Sequence, residues 1–207
     1  MQNQKVVLAT QNKDKLKELQ HLMKGSKIEV LSLTDFKKSS AVHEDGKTFE
    51  ENAEKKARVY SKRTRSLVLA DDSGLCVRPL GGKPGVYSAR YAGPKCSYED
   101  NNIKLLGQLR LIPWPKRRAT FVSVISIFDQ GRKIATVRGE CDGRIGFIEK
   151  GDFGFGYDPI FIPEGMSKTY AELNSAQKGK ISHRGRALRA AKKALLKYLN
   201  NRPEHVG

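Results

Sequence analysis

The stretch Leu67-Val68-Leu69-Ala70-Asp71-Asp72-Ser73-Gly74 decides the fold, because a short apolar run leads directly into two carboxylates and a turn signal. The run predicts a buried strand over 67–70. A strand end carries side chains to the edge of a sheet, where ligands bind in α/β proteins. Because successive strand residues point to opposite faces, we expect only one carboxylate to enter a site. We assign the site to Asp72 and the capping of the predicted turn to Asp71.

Strand and helix patterns alternate on both sides of this stretch. Strands are predicted at Val6–Thr10, Ile28–Leu33 and Ile160–Ile162, with a hairpin of Ala119–Phe128 and Lys133–Arg138 that turns at Asp129-Gln130-Gly131. Helices are predicted from about Leu16 to Gly25, from a Thr48-x-x-Glu51 capping box to about Lys62, over Tyr98–Leu111, and from about Ser182 to Asn200. The alternation predicts an α/β fold, a mixed twisted sheet flanked by helices. We expect one domain over 1–207, in which a smaller lobe with the hairpin would have boundaries near 113–115 and 151.

Composition excludes several classes of protein. The 207 residues are 38% hydrophobic and 8% aromatic, which is enough for a buried core and argues against intrinsic disorder. No apolar run approaches the roughly 20 residues of a membrane helix, and the first residues lack the pattern of a secretory signal. We therefore expect a cytoplasmic protein that does not enter a membrane. Three separated cysteines without a Cys-x-x-Cys pair indicate neither a disulfide framework nor a zinc site.

A net charge of +17, from 39 Lys and Arg against 22 Asp and Glu, indicates a partner that carries phosphate. The charge does not choose among nucleic acid, an anionic membrane surface and nucleotides. A nucleic-acid-binding module stays open as an alternative because of the cations on the last predicted helix, Arg184, Arg186, Arg189, Lys192 and Lys193. No zinc spacing, RNA-recognition motif or clear helix-turn-helix supports it, so we do not expect specific nucleic-acid binding.

The loop from Thr10 to Lys15 lies between the first predicted strand and the first predicted helix. A helix N-terminus presents free N–H groups and a partial positive charge that bind phosphate, and Thr10, Asn12, Lys13 and Lys15 add donors and charge. An ordinary polar turn capped by Asn12 is equally compatible with these residues. The chain has no P-loop and no dinucleotide glycine motif, so a phosphate site here would be of another kind.

Three other segments carry candidate ligand groups. Glu44-Asp45-Gly46 adds a second acidic group, and hard cations such as Mg²⁺ take carboxylate and phosphate oxygens. Aromatic rings alternate with glycines over 151–159, so these rings either fill the core or stack on a nucleobase. His183 and Arg184 begin the last predicted helix, where the helix dipole disfavours cations. A bound ligand would explain that position, although a solvated helix start would look the same.

Five motifs together resemble the inosine/xanthosine triphosphate pyrophosphatase family. They are Thr10-Gln11-Asn12-Lys13-Asp14-Lys15, Asp71-Asp72-Ser73-Gly74-Leu75, Leu80-Gly81-Gly82-Lys83-Pro84-Gly85-Val86-Tyr87-Ser88-Ala89-Arg90-Tyr91, Phe155-Gly156-Tyr157-Asp158-Pro159 and Ile181-Ser182-His183-Arg184-Gly185. They follow the family order between Val6 and about Leu199. The resemblance implies an α/β fold with a long mixed sheet, a homodimer, and Mg²⁺-dependent cleavage of ITP, dITP or XTP to the monophosphate and pyrophosphate, which removes these nucleotides from the pool.

The resemblance also implies roles for individual residues. The triphosphate would be held by Thr10, Asn12 and Lys15, with help from Lys56, and the substrate-binding segment would also include Gln11, Lys13 and Asp14. Glu44 and Asp72 would bind the metal, and Asp72 would also be the general base. The sugar, base and phosphates would be surrounded by Ser73, Phe155, Gly156, Tyr157, Asp158, Lys178, His183 and Arg184, with Phe155 stacked on the base. The chain departs from the family at Gln11, where glycine is usual. A related pyrophosphatase for other damaged bases is the alternative enzyme.

Overall fold

Six strands form one sheet in the computed structural model, which describes residues 4–10, 12–26, 28–36 and 41–201, without the side chains of Lys13 and Asp14. The strands are β1 (Gln4–Leu8), β2 (Ile28–Ser32), β3 (Leu67–Val77), β4 (Arg118–Asp129), β5 (Arg132–Ile145) and β6 (Phe161–Pro163), in the order β2-β1-β3-β4-β5-β6. β1 is parallel to β2 and β3, whereas β5 and β6 are antiparallel. The predicted mixed sheet is therefore confirmed.

The helices are α1 (Lys13–Met23), α2 (Phe49–Thr64), α3 (Tyr98–Gln108), α4 (Ser175–Ile181) and α5 (His183–Asn200). α2 begins as predicted, because Thr48 Oγ accepts from the Glu51 N–H at 3.1 Å. Only half of the capping box forms, since the Glu51 carboxylate accepts from the N–H of Lys47 instead. The prediction missed α4, whose seven residues include a glycine and two lysines and show little apolar periodicity.

α3 ends at Gln108, so the predicted end at Leu111 is wrong. After Gln108 the chain tightens into three-residue turns, in which the Arg110 N–H bonds to the Gly107 oxygen at 3.2 Å and the Ile112 N–H bonds to the Leu109 oxygen at 2.9 Å. Pro113 follows directly and has no N–H with which a helix could continue. The Leu109 carbonyl also accepts from the Arg117 guanidinium at 2.8 Å.

β3 continues well past the predicted turn. Asp71, Asp72 and Ser73 lie inside the strand, which runs to Val77, so the predictions of a strand end and of a turn capped by Asp71 are wrong. The extended backbone continues because Leu75 and Val77 are fully buried and supply the apolar contacts of its second half. The two carboxylates therefore leave the middle of a strand, not the edge of a sheet.

The predicted hairpin is present between β4 and β5. Its turn places Gln130 at φ 48° and Gly131 at φ 90°, and two-residue hairpin turns need such positive values to match the twist of the strands. β5 runs to Ile145, seven residues beyond the predicted end. Its far half alternates exposed and buried residues, but the buried positions include Gly139, Cys141 and Gly143, which are too small to give a clear apolar pattern.

The chain divides into two compact units. The first comprises Met1–Asp72, Val124–Arg138 and Ala187–Gly207, and the second comprises Ser73–Ser123 and Gly139–Arg186. Each has a buried apolar core of its own. The single domain with lobe boundaries near 113–115 and 151 stays a prediction. No helix in the described ranges is long and apolar enough to cross a membrane.

Arg117 is a fully buried cation in the second unit. It is 1% exposed, and its guanidinium donates to the carbonyl oxygens of Leu109, Ile145 and Gly146 at 2.6 to 2.8 Å. Its Cζ also lies 4.5 Å from the ring centroid of Phe147. Burial lowers the pKa of this guanidinium. The side chain thus connects the end of α3 to the end of β5 through carbonyl dipoles.

We predict that Arg117→Met lowers the free energy of unfolding by about 3 kcal/mol or more, because three buried carbonyls each lose a charged hydrogen-bond donor at once. Arg118→Met is the matched control, since that neighbouring side chain is exposed and its replacement should change stability by less than about 0.5 kcal/mol. Urea denaturation of both variants measures the difference. Equal stabilities would show that Arg117 is not a structural residue.

Candidate functional site

The candidate site residues fall into two groups, one in each unit. The group in the first unit, here called the acidic–lysine cluster, consists of Lys15, Glu44, Asn52, Lys56, Asp71 and Asp72. The group in the second unit, here called the aromatic–cationic cluster, consists of Ser73, Phe155, Asp158, Lys178 and Arg184. Asp72 and Ser73 are consecutive residues of β3.

Asp71 and Asp72 take different partners, as the alternation of a strand requires. The Asp71 carboxylate pairs with Lys15 Nζ at 2.7 Å. The Asp72 carboxylate accepts from Asn52 Nδ2 at 3.1 Å and lies 3.8 Å from Lys56 Nζ. The two carboxylates therefore have separate partners, and the expectation that only Asp72 enters a site stays a prediction.

Helix α2 carries the partners of Asp72. Asn52 and Lys56 are four residues apart, so both side chains lie on one helix face. Lys56 Nζ donates to the main-chain oxygen of Asp71 at 2.7 Å and pairs with Glu44 at 3.1 Å. Asn52 is a residue that sequence reasoning missed, and it also accepts from the N–H of Gly46 at 2.8 Å. The one signal for it was its spacing from Lys56.

The Asp72 carboxyl has a raised pKa. Burial raises its pKa to about 6, partly opposed by the charge of Lys56 and reinforced by the charge of Glu44. Asn52 favours the ionised form by donating a hydrogen bond. An aspartate in such a setting accepts a proton near neutral pH more readily than an exposed one.

The loop after β1 has the shape of a capped helix start. The Thr10 N–H bonds back to the Leu8 oxygen at 2.9 Å, which ends β1 two residues before the predicted end. Thr10 Oγ1 accepts from the Asn12 N–H, and Asn12 Oδ1 accepts from the Lys15 N–H at 3.3 Å. Gln11 and the side chains of Lys13 and Asp14 lie outside the described residues, so the predictions for them stay open.

The acidic–lysine cluster offers oxygen ligands of the type that Mg²⁺ prefers. Glu44 and Asp72 both lie within 3.8 Å of Lys56 Nζ. No group of three or more His, Cys, Asp and Glu side chains in the described ranges is placed to hold a metal ion. Mg²⁺ is commonly bound by one or two carboxylates together with substrate phosphates, and Glu44 with Asp72 fits that donor set.

The aromatic–cationic cluster surrounds the ring of Phe155. Arg184 Cζ and Lys178 Nζ each lie 5.2 Å from the ring centroid. Arg184 Nη2 donates to Ser73 Oγ at 3.1 Å. The ring of Tyr98, which sequence reasoning also missed, lies 6.0 Å away and is tilted by 36°. A half-buried ring beside two cations can bind a flat, electron-rich ligand.

Asp158 organises the loop that presents Phe155. Its carboxylate is buried, accepts from the Phe155 N–H at 2.8 Å and pairs with Lys178 Nζ. Gly154 has φ 82°, and a Cβ there would lie 2.1 Å from Asp158 Oδ2. Glycine is therefore needed at 154 for the carboxylate to reach the loop backbone.

Two of the predicted ligand residues lie in the core of the second unit. Tyr157 is buried, and its hydroxyl donates to the Ser88 oxygen at 2.9 Å. His183 is also buried, and its ring stacks on Phe121 at 4.5 Å between centroids with an interplanar angle of 5°. The aromatic–glycine segment thus contributes both a core residue, Tyr157, and a half-exposed ring, Phe155.

A tight junction between α4 and α5 places Lys178 and Arg184. Ser182 is the one residue between the two helices, and its Oγ accepts from the Gly185 N–H at 3.0 Å. An added Cβ on Gly185 would lie 2.0 Å from the Gly179 oxygen, so the absence of a side chain lets the helices approach. The predicted start of the last helix near Ser182 is confirmed.

Comparisons with known proteins agree with this architecture. The profile of the Ham1 family matches residues 6–194. A dITP/XTP pyrophosphatase of Geobacter sulfurreducens is 48% identical over 203 residues, which is 98% of this chain and 96% of that protein. A dITP/XTP pyrophosphatase of Caldanaerobacter subterraneus is 43% identical over 196 residues, which is 94% of this chain and 98% of that protein. This chain belongs to the Ham1 family.

Ham1 structures share the whole fold. A HAM1 protein from Coxiella burnetii matches with a TM-score of 0.86 at 38% identity, covering 94% of this chain and 99% of that one. The family resemblance and the α/β architecture predicted from the motifs are therefore confirmed. The roles of individual residues in this Ham1 chain stay predictions, because these likenesses concern the chain as a whole.

We predict that Gly185→Ala lowers the free energy of unfolding of the Ham1 chain by about 1–3 kcal/mol, because its Cβ would push against main-chain atoms of α4. Gly179→Ala is the matched control. It lies in α4 with no atom within 4 Å of an added Cβ, so it should be neutral or stabilise the helix by up to about 1 kcal/mol. Thermal unfolding compares the two variants, and a Gly185→Ala protein as stable as the wild type would contradict the tight junction.

Proposed function

We propose that this Ham1 chain hydrolyses deaminated purine nucleoside triphosphates, namely ITP, dITP and XTP, to the monophosphate and pyrophosphate. Relatives named dITP/XTP pyrophosphatases support this activity at 43–48% identity over nearly the whole chain. The observation that carries it in this structure is the buried Asp72 carboxyl, with a pKa raised to about 6, between Asn52 and Lys56. From the family resemblance we also propose a homodimer that acts in the cytoplasm on the nucleotide pool.

Asp72 is the general base of the proposed reaction. Its ionised carboxylate takes a proton from a water molecule as that water attacks the α-phosphorus, and pyrophosphate leaves. Asn52 holds one carboxylate oxygen, so the other stays directed toward Lys56. The purine is not altered in this reaction and serves only for selection.

Cations of the same unit would bind the triphosphate. Lys15 is held by Asp71 and Lys56 by Glu44, so both ammonium groups are oriented before a nucleotide arrives. Preorganised cations stabilise developing phosphate charge without reorganisation during the reaction. Thr10 and the N–H groups at the start of α1 would add neutral donors.

Glu44 and Asp72 are the residues that would hold Mg²⁺. When bound, the ion neutralises phosphate charge and polarises the phosphoryl oxygens. In the structure Lys56 balances the two carboxylates.

Base selection is assigned to the aromatic–cationic cluster. Phe155 would stack on the purine, an interaction worth roughly 1–3 kcal/mol where it has been measured in nucleic-acid complexes. Hypoxanthine and xanthine present an acceptor at the 6-position, where adenine presents an amino donor. Arg184, whose Nη2 donates to Ser73 Oγ at 3.1 Å, can donate to that acceptor. With adenine the guanidinium would face an amino donor, and its N–H group would have no acceptor.

We predict that Asp72→Asn lowers kcat for dITP by at least about 10²-fold, because the amide cannot take a proton. Asp45→Asn is the matched control, since Asp45 is an exposed carboxylate of the same unit that pairs with Lys55. Pyrophosphate release in excess Mg²⁺ measures the rates, and thermal unfolding checks that both variants fold. Near-normal turnover by Asp72→Asn would remove Asp72 from the base role.

We predict that the wild-type protein releases pyrophosphate with Mg²⁺ from ITP, dITP and XTP in strong preference to ATP. Arg184→Ala should lower the ITP to ATP ratio of kcat/KM by about tenfold or more, because the donor to the 6-oxo group is lost. Arg186→Ala is the control, since that exposed side chain donates to the Glu140 oxygen. A ratio that Arg184→Ala leaves unchanged would assign base recognition to another residue, and no pyrophosphate release from any deaminated nucleotide would refute the proposed function.

A further inference from the structure

Asn102 is a buried polar residue of α3 that the proposed mechanism does not use. The residue is 2% exposed, and its Nδ2 donates to the Gly156 oxygen at 3.2 Å. Its Oδ1 has no hydrogen-bond partner within the described part of the chain. Burying an unpaired amide oxygen destabilises a fold, and an apolar side chain of equal size would avoid this loss of stability. An asparagine at position 102 provides one thing that an apolar side chain cannot, which is the hydrogen bond to the Gly156 oxygen.

The Gly156 peptide is the part of the Phe155 loop that needs such a bond. Gly156 has φ 66°, and an added Cβ there would meet no atom within 4 Å. A glycine in open space has many accessible backbone conformations. Its neighbours are fastened on both sides, Phe155 through the Asp158 carboxylate and Tyr157 through the Ser88 oxygen. Asn102 supplies the bond that orients the carbonyl between them.

We propose that Asn102 is a positioning residue for base recognition, which holds the Gly156 peptide so that the Phe155 ring is preset to receive a purine. This inference rests on the proposed function. Asn102 acts through the loop, whereas Lys15, Lys56 and Asp72, which we assign to the triphosphate and to the proton transfer, belong to the other unit. Its loss should therefore weaken binding and selection of the base and leave the proton transfer at Asp72 intact.

The adjacent residue offers a matched control. Asn101 is also 2% exposed and lies on the same helix, but its Oδ1 accepts from the Ala92 N–H at 2.8 Å and from Cys96 Sγ. The same substitution at 101 and 102 therefore places an apolar side chain at two buried positions of one helix and releases different loops. An effect that comes from the helix alone would appear in both variants.

The first experiment compares the kinetics of Asn102→Leu and Asn101→Leu with the wild type on dITP and ATP. For Asn102→Leu we expect KM for dITP to rise about tenfold and the dITP to ATP ratio of kcat/KM to fall about tenfold, with kcat for dITP within about twofold. For Asn101→Leu we expect an unchanged ratio. Asn102→Ala, which adds no bulk, is measured in parallel, below the unfolding temperature of every variant.

The second experiment needs no activity. Hydrogen exchange of the nucleotide-free protein should be about tenfold faster over residues 153–158 in Asn102→Leu, and unchanged there in Asn101→Leu. Unchanged exchange or an unchanged dITP to ATP ratio in both Asn102 variants overturns the proposal, and so does an equal fall of the ratio in Asn101→Leu. Faster exchange in a chain whose wild type does not hydrolyse dITP overturns the proposed function and the role in base recognition, while the Asn102–Gly156 bond stands.

Discussion

Two consecutive carboxylates are buried in the middle of β3, and the residues around them are arranged to make this possible. An isolated ionised carboxylate in a protein interior is strongly unfavourable unless it is paired or hydrogen-bonded. Because Asp71 and Asp72 point to opposite faces of the strand, one partner cannot serve both. Asp71 pairs with Lys15 of α1, and Asp72 bonds to Asn52 of α2. The strand thereby sets where both helices must carry their polar side chains.

Lys56 connects several groups of the first unit through one ammonium, so Glu44 and Asp72 do not form separate ion pairs. Its ammonium donates to the Asp71 main-chain oxygen and lies close to Glu44 and to Asp72. One cation thus balances two acidic side chains, and burial still leaves Asp72 with a pKa of about 6. A buried carboxyl with a raised pKa supports the general-base role that we propose for Asp72.

The second unit also contains a buried carboxylate, which lies in a loop and is both paired and hydrogen-bonded. Asp158 is buried, and it pairs with Lys178 of α4 while accepting from the backbone of its own loop. The bond holds Phe155 half-exposed between cations, at a point where Gly154 and Gly156 allow the backbone its positive φ values. The net charge of +17 therefore says little about this site, because the lysine that matters here is paired with a buried acid.

The sequence by itself determined the local features: the hairpin turn at Gln130-Gly131, the cap at Thr48, the start of α5 and the order of motifs that marks the family. The first three depend on neighbouring residues, so their physical causes are visible in a short window. Only the tertiary structure decided the length of β3, the partners of Asp72 and the donor to the Gly156 carbonyl. Those features arise from side chains distant along the chain: Asn52 reaches Asp72 across twenty positions and Asn102 reaches Gly156 across fifty-four. A buried polar group is stable only with a partner, and the fold, not the local pattern, supplies it.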